Sequence, residues 1–406
     1  MDTIRLIIGQ TIFDSLWAMF IMLPISLPII FSVIAAILYR RHNLTQLLLS
    51  EPYTFIEIKL PREMNKSPRA MELAMNGFYQ TSAGNWYSKF FRGRHRLWFS
   101  LELISLEGTI HYVIRTPERY RDLVETNLYS QFPDIEIREV SDYTLNVDYL
   151  EHPDNWSVFG VELKLKKPDC YPIKTYVDFE LGKDPKEEFK TDPMLGILET
   201  LGSIGPGEQY WIQIMIMPFL EESEDKLKEE LKEAIASLVR RKATVSFGEG
   251  EIMVNEMPSP GERLVAETLE NKLAKPIYDV GIRSMYIARK ESAVGPRKYG
   301  AFQPFRVFNS PQMNSFSIRV DTDFDHPFSF QGGWYPKKYR VPKMYRQMFD
   351  AYRKRSYFYT PYKRVPMQLN VEELATIWHF PGRVSETPTL GRIESKRGEP
   401  PVNLPV

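Results

Sequence analysis

The chain reads as an α+β protein: an N-terminal transmembrane helix, then two ferredoxin-like (split βαβ) units and an extended C-terminal segment. Three observations lead there. An apolar run free of Asp, Glu, Lys and Arg extends from Ser15 to Leu38. Beyond it, period-2 and helical apolar patterns follow one another as strand–helix–strand–strand–helix–strand, and a weaker version of that order recurs. Residues 381–406 hold Pro381, Pro388, Pro400, Pro401 and Pro405 without any apolar period.

The apolar run is 24 residues long. At about 1.5 Å per residue it would reach roughly 36 Å, against a hydrocarbon core of about 30 Å. Pro24 and Pro28 would break a soluble helix but are tolerated in a membrane one. Trp17 and Tyr39 suit the two interfaces, and Arg40 and Arg41 outweigh Arg5, which faces Asp2 and Asp14. The expectation is a single-pass inner-membrane protein in contact with the lipid bilayer, its C-terminal body in the cytoplasm. The single Cys170 agrees with a body that uses no disulfide framework.

In the first unit, Thr54–Leu60 alternates as a strand and Ser67–Tyr79 carries Met71, Ala74, Met75 and Phe78 at helical spacing. Arg96–Ser105 and Thr109–Arg115 form a hairpin about Leu106-Glu107-Gly108. Thr116-Pro117-Glu118 reads as a helix start, with Leu123, Leu128 and Phe132 following, and Asp134–Val140 closes as a strand. In the second unit, Ile173–Leu181 reads as a strand, Asp192-Pro193 starts a helix to Leu201, and Gln209–Met217 is a buried strand. A helix from Pro260 to about Leu273 and a strand over Tyr278–Arg289 complete it. Glu221–Arg241 is an inserted charged helix, and Ala243–Glu256 a hairpin around Gly248-Glu249-Gly250. Each unit is expected to show an antiparallel sheet with helices on one face, Trp211, Ile212, Ile214 and Ile216 straddling it. Short helices follow at Val341–Tyr352 and Val371–Trp378. The expected domains are 1–42 (anchor), 43–145 and 146–290 (the two units, the second with insertion 221–241), 291–380 (connector) and 381–406 (tail).

Lys and Arg number 52, as do Asp and Glu, so net charge singles out no partner. Its distribution does. Residues 334–364 hold Lys337, Lys338, Arg340, Lys343, Arg346, Arg353, Lys354, Arg355, Lys363 and Arg364 against Asp350 alone, interleaved with aromatic residues. Such a mixture serves a nucleic-acid backbone with its bases, an anionic lipid surface, or an acidic face of the protein itself, and all three stay open.

Little else carries chemistry. Gly202-Ser203-Ile204-Gly205-Pro206-Gly207 lies between a helix and a strand, the reverse of a phosphate cradle, and fits a helix C-cap. Asp321, Asp323 and Asp325 open like a calcium loop, but His326 stands where the turn needs Gly and Gly332 where the bidentate Glu belongs. The six histidines lack metal spacing, and Cys170 has no visible base. No catalytic residue, cofactor or metal is expected.

Several stretches carry a resemblance: Tyr171–Phe179, Lys183–Lys190, Leu201–Ile214, Tyr278–Arg283, Tyr357–Arg364 and Glu372–Gly382. Across most of Glu51–Leu404 the chain resembles membrane-anchored proteins of candidate-phyla (Patescibacteria) bacteria. In that family this region often precedes a motor ATPase of the conjugation and type IV secretion coupling type, and Gly398–Pro405 is similar to the linker before it. No ATPase follows within the 406 residues. The resemblance therefore implies a non-catalytic membrane platform or accessory subunit for a DNA- or protein-translocating ATPase acting in trans. The alternative is a membrane-tethered nucleic-acid-binding protein using residues 334–364. The family supplies no catalytic residues to carry over.

Overall fold

The computed structural model describes residues 26–43, 45–46, 50–61, 64, 66–79, 87, 95–181, 192–219, 221–239, 242–247, 250–255, 259–322, 337–382 and 392–393. Two compact units are present: Met1–Pro52 with Ser82–Arg96, and Tyr53–Thr81 with Leu97–Val406.

In the smaller unit, residues 26–43 are helical. Among the described residues no helix is long and apolar enough to cross a membrane, which corrects the expected transmembrane, single-pass anchor. The uncharged part of this helix, residues 26–38, reaches only roughly 20 Å before Arg40 and Arg41. Residues 15–25, with Trp17 beyond reach among them, lie outside the described residues.

The larger unit is organised by one sheet. Its strands are β1 (Tyr53–Pro61), β2 (Phe99–Leu106), β3 (Thr109–Pro117), β4 (Glu136–Val140), β5 (Trp156–Leu165), β6 (Glu208–Pro218), β9 (Ile277–Arg289), β10 (Phe316–Asp321), β11 (Met367–Asn370) and β12 (Arg392–Ile393). The order is β10-β5-β9-β6-β2-β3-β1-β12, with β4 also on β1 and β11 on β9. Every pairing is antiparallel except the short parallel contact of β12 with β1. Strands β7 (Lys242–Phe247) and β8 (Gly250–Asn255) form a separate hairpin.

Two ferredoxin-like units behind a membrane helix are thus corrected to one mixed α/β body with a continuous sheet. The joint is β2 against β6, paired from Phe99↔Ile216 to Leu106↔Gln209. Both strands are buried along nearly their whole length, so leaving either as an edge would expose unpaired backbone and apolar side chains together. The opening strand of the second half is β5, not Ile173–Leu181. The latter stretch is loop and turn, its backbone bound by side chains: Ile173 N–H donates to Glu373 Oε1 and Tyr176 N–H to Thr376 Oγ1.

The helices are α1 (Pro68–Asn76), α2 (Arg121–Gln131), α3 (Met194–Gly202), α4 (Glu221–Val239), α5 (Pro260–Leu273), α6 (Lys337–Arg353) and α7 (Val371–Ile377). Thr116 and Pro117 stay in β3, and α2 starts only at Arg121 after a 3-10 turn, because Thr116 pairs with Thr54 of β1. Between β2 and β3 the chain reverses at Glu107 (φ 53°) and Gly108 (φ 93°), two consecutive positive φ values as a two-residue hairpin turn demands. A Cβ on Gly108 would also come within 2.9 Å of the Ile204 carbonyl.

Alternation along β6 separates two cores. Tyr210, Ile212, Ile214 and Ile216 join the main core with α1, α2, α3 and α7 residues such as Met71, Leu128, Leu198 and Leu374. Trp211 joins a second core on the opposite face with Met285, Ile287, Tyr143 and, from α6, Met348, Phe349 and Tyr352. Helices on one face only is therefore also corrected: α6 covers the other. Two strand glycines let α6 and the segment after it sit close. A Cβ would approach Met348 to 2.7 Å at Gly160 and the Tyr357 ring to 2.7 Å at Gly281.

Ile214 is 1% exposed at the centre of the sheet. Ile214→Ala is expected to cost about 2–5 kcal/mol. Chemical denaturation checks this, and a loss under about 1 kcal/mol would contradict a continuous core at the β2–β6 joint.

Candidate functional site

Four polar residues stand level with one another across the α6 face of the sheet. Register places Glu102 (β2) opposite Gln213 (β6), Gln213 opposite Arg283 (β9), and Arg283 opposite Glu162 (β5). All four are at most 1% exposed. The next row is apolar: Ile104, Trp211, Met285 and Gly160. A buried charge without a partner is prohibitively costly, so this polar row dictates what must lie on top of it.

The segment after α6 supplies the partners. The helix ends at a left-handed residue, with Ser356 N–H donating to Ala351 O (3.1 Å) and Arg355 N–H to Tyr352 O (2.9 Å). The position at φ 50° is the one glycine usually holds, and here it is Arg355. Its conformation, costing on the order of 1 kcal/mol, aims the side chain into the sheet. There Nε and Nη2 meet Glu102 at 3.0 Å each, Nη1 and Nη2 meet Asp142 at 2.5 and 3.0 Å, and Nη1 also donates to Arg353 O. The five N–H donors of the guanidinium are thereby engaged. Burial works against the Arg355 charge, but Glu102 and Asp142 hold its proton well above the usual arginine range.

At the other end, Arg283 Nε donates to Glu162 Oε1 at 2.8 Å and Nη1 to the Ala351 and Ser356 carbonyls. Arg364 Nε meets Glu162 Oε2 at 3.0 Å. Burial would raise the Glu162 carboxyl, but the two arginines keep it below the usual carboxylate range. Gln213 Nε2 spans the middle, donating to Glu102 and to Tyr352 O. The Tyr143 and Tyr352 hydroxyls bond each other at 2.8 Å, and burial pushes both up.

The ten cations expected to meet a polyanion thus divide. Arg355 is buried and Arg364 half-buried in this network. Lys343, Arg346, Arg353, Lys354 and Lys363 are exposed. Lys337, Lys338 and Arg340 fall in α6 but their side chains lie outside the described residues. Tyr39, Arg40 and Arg41 are exposed on the N-terminal helix. Spacing of three and four puts Lys343, Arg346, Asp350 and Arg353 on one face of α6, opposite Met344, Met348 and Tyr352, with Lys354 just past the helix end. Beside that face lies a cleft of about 770 Å³, bounded by Lys343 and Arg346 on the helix and by Leu150 and Pro153 across from it.

The chain belongs to a family of shared sequence, the domain of unknown function DUF8128, which matches residues 95–392. No curated protein matches the sequence. The DUF8128 segment takes in the whole polar row and the α6 strap. It starts after β1, although β1 is an interior strand between β3 and β4.

Other marked residues have local duties. The amides of Gly205 and Gly207 donate to Glu208 and Glu107, so the glycine-rich turn is filled by the protein's own carboxylates. Asp321 ends β10, while Asp323 and Asp325 lie outside the described residues. Cys170 is buried beside Asp169, and burial raises its thiol. A second buried pair, Lys272 Nζ to Glu373 Oε2 at 3.0 Å, ties α5 to α7. Sequence reasoning missed this pair and the polar row. The available signal was a charged or amide residue beside large apolar ones within each strand: Glu102 between Leu101 and Leu103, Gln213 between Ile212 and Ile214, Arg283 after Ile282, and Glu162 between Val161 and Leu163.

Two outcomes follow. Arg355→Met strands two carboxylates and is expected to cost about 3–5 kcal/mol in denaturant melts, with Glu102→Gln added recovering part of the loss. Full additivity of the two changes would break the argument. Asp169 offers the opposite sign: burial lifts its carboxyl to about 6. A raised folded pKa favours the fold while the group is protonated and loses that contribution as pH rises through 4–6. Asp169→Asn should therefore stabilise by about 1–2 kcal/mol at pH 8 and be neutral near pH 4, measured by melts across pH.

Proposed function

We propose that this protein is a non-catalytic accessory subunit for a DNA- or protein-translocating ATPase acting in trans, with α6 and the strap to Arg364 as its docking element. The observation that carries this reading is the division of the basic segment. Its inward arginines are spent on seating the strap. Its outward cations stand on a helix held rigidly by Phe349, Tyr352 and Tyr357 against the sheet. Fixed charge on a rigid element is what a specific protein contact requires. Around α6 the buried carboxylates Glu102 and Glu162 are each clamped by arginine, the state of a structural network and not of a poised acid or base. The resemblance of Tyr357–Arg364 and Glu372–Gly382 to proteins that precede such motors supports the choice of partner.

The nucleic-acid reading retains the exposed cations, and Tyr345, Tyr359 and Tyr362 are only half-buried, but four of its aromatic residues are taken by the core. Phe349, Tyr352, Tyr357 and Phe358 are buried, and base stacking needs an open ring face.

Affinity capture with the full chain tests the proposal against a coupling-type ATPase from the same genome. The motor should be retained at about 0.1 M salt and released near 0.5 M. Arg353→Glu with Lys354→Glu should reduce retention without lowering the melting temperature. No retention at low salt, or retention indifferent to these charges, would remove the support for α6 as the docking element.

A further inference from the structure

The turn at residues 168–171 and helix α4 bound a cleft of about 650 Å³, with Gln368 of β11 also on its wall. Glu230, Glu233 and Ser237 line it from one side of α4, at spacings of three and four. On the neighbouring stripe, Leu227 and Leu231 seat the helix against Val265 and Leu269 of α5. Three carboxylates therefore border the cleft, Asp169 from the turn and Glu230 and Glu233 from the helix. Among the described residues no lysine or arginine lines it. The buried cation that acts on Asp169 is engaged elsewhere: Lys272 Nζ lies 3.0 Å from Glu373 Oε2 and donates to the Gln368 carbonyl at 2.9 Å. Among the described residues neither Glu230 nor Glu233 has an ion-pair partner, and Asp169 accepts only from the Gln368 amide, at 3.2 Å. Cys170 is a second, independent mark on the same wall. It is 2% exposed, and its thiol makes no hydrogen bond to another of the described residues, which leaves the sulfur as an acceptor for an N–H group.

Asp169 stands there at a cost to the fold. Burial lifts its carboxyl to about 6 against the pull of Lys272, and Glu373 and Glu230 add to the rise. A cation arriving from outside would remove that cost. The walls also discriminate among ligands. An anion meets three carboxylates. A divalent ion needs several ligands converging on one point, and no such group of side chains occurs among the described residues. An extended organic cation with several N–H donors matches carboxylates spread over two walls. A guanidinium offers five such donors in one plane, on an aliphatic stem that can lie along Tyr171 and Ala234. We propose that this cleft receives an arginine side chain presented by a basic segment of a partner protein, its guanidinium between Asp169 on the turn and Glu230 and Glu233 on α4. The inference rests on the accessory-subunit reading only in taking the occupant to be a protein.

Fluorescence anisotropy with the full chain tests it, using a labelled short Gly/Ser peptide with two central arginines at about 0.1 M salt. The peptide should bind. Its citrulline counterpart, which keeps the shape and loses the charge, should bind about tenfold more weakly. Glu233→Gln should weaken binding about threefold at an unchanged melting temperature. Glu229→Gln, on the same helix but off the cleft, should leave binding as it was. Asp169→Asn should weaken binding about tenfold while being no less stable at about pH 8, so that misfolding cannot account for the loss. Wild-type binding should tighten between about pH 5 and about pH 7 as Asp169 loses its proton, and Asp169→Asn should abolish that change. Lys272, Glu373, Glu230, Glu233 and Cys170, the other titratable groups around Asp169, are all kept in that variant. Absence of binding, equal binding of the citrulline peptide, or equal weakening by Glu229→Gln would each overturn the proposal. Calcium ions that displace the peptide and depend on Glu233 to do so would overturn it too. ATPase capture separates the two readings. A motor retained by a chain that binds no arginine peptide ends the cleft proposal alone. Peptide binding without motor retention leaves the cleft standing and ends the motor reading.

Discussion

The guanidinium of Arg355, held between Glu102 and Asp142, is the contact on which this face of the protein depends. Glu102 sits in the middle of a ten-stranded sheet with no exposure to water. A buried carboxylate in that position demands a cation, and the cation arrives from a residue 253 positions later. Such a pair adds little net stability over an apolar substitute. What it constrains is placement: the α6 strap must lie where Arg355 reaches both Glu102 and Asp142. The same logic repeats at Glu162, which Arg283 meets from within the sheet and Arg364 from the end of the strap. Between the two clamps Gly281 leaves a flat place for Tyr357.

The clamps explain why a segment rich in basic residues is divided in its use. Its spacing sends Met344, Met348, Ala351 and Tyr352 toward the sheet and the cations outward, as any amphipathic helix would. The left-handed turn at Arg355 then breaks the pattern and sends a charge inward. Accessible charge is therefore set by backbone geometry as well as by composition. The charges that stay outside are carried by a helix packed on the sheet through Met348, Phe349 and Tyr352 and followed directly by the Arg355 clamp, so a partner meets them with little ordering cost.

How much of this was legible varies element by element. Strands such as Thr54–Leu60 and Gln209–Met217 were readable because alternation and β-branched or aromatic content agree with their burial. The Glu107-Gly108 turn was readable because few residues tolerate positive φ. Ile173–Leu181 misled because its apolar residues bury in the same core that a strand would use, while its backbone is satisfied by Glu373 and Thr376 side chains instead of a neighbouring strand. Strand β5 was passed over because Trp156–Leu165 is buried on both faces and shows no clean alternation. The polar row was present in the sequence as four charged or amide residues among the other polar positions of largely apolar strands. Their alignment depends on register between strands far apart in the chain, which periodicity does not carry.

By itself, the sequence determined the strand and helix periods, the sorting of β6 side chains onto two buried faces, the tight hairpin, and the concentration of cations after Trp334. These are local properties, set by side-chain spacing and backbone stereochemistry. Only the tertiary structure decided that the strands close into one sheet, that Glu102, Gln213, Arg283 and Glu162 form one row, and that Arg355 belongs to the core. Each of these depends on which surfaces find one another, and that choice is made by the cost of leaving an edge or a charge buried without a partner.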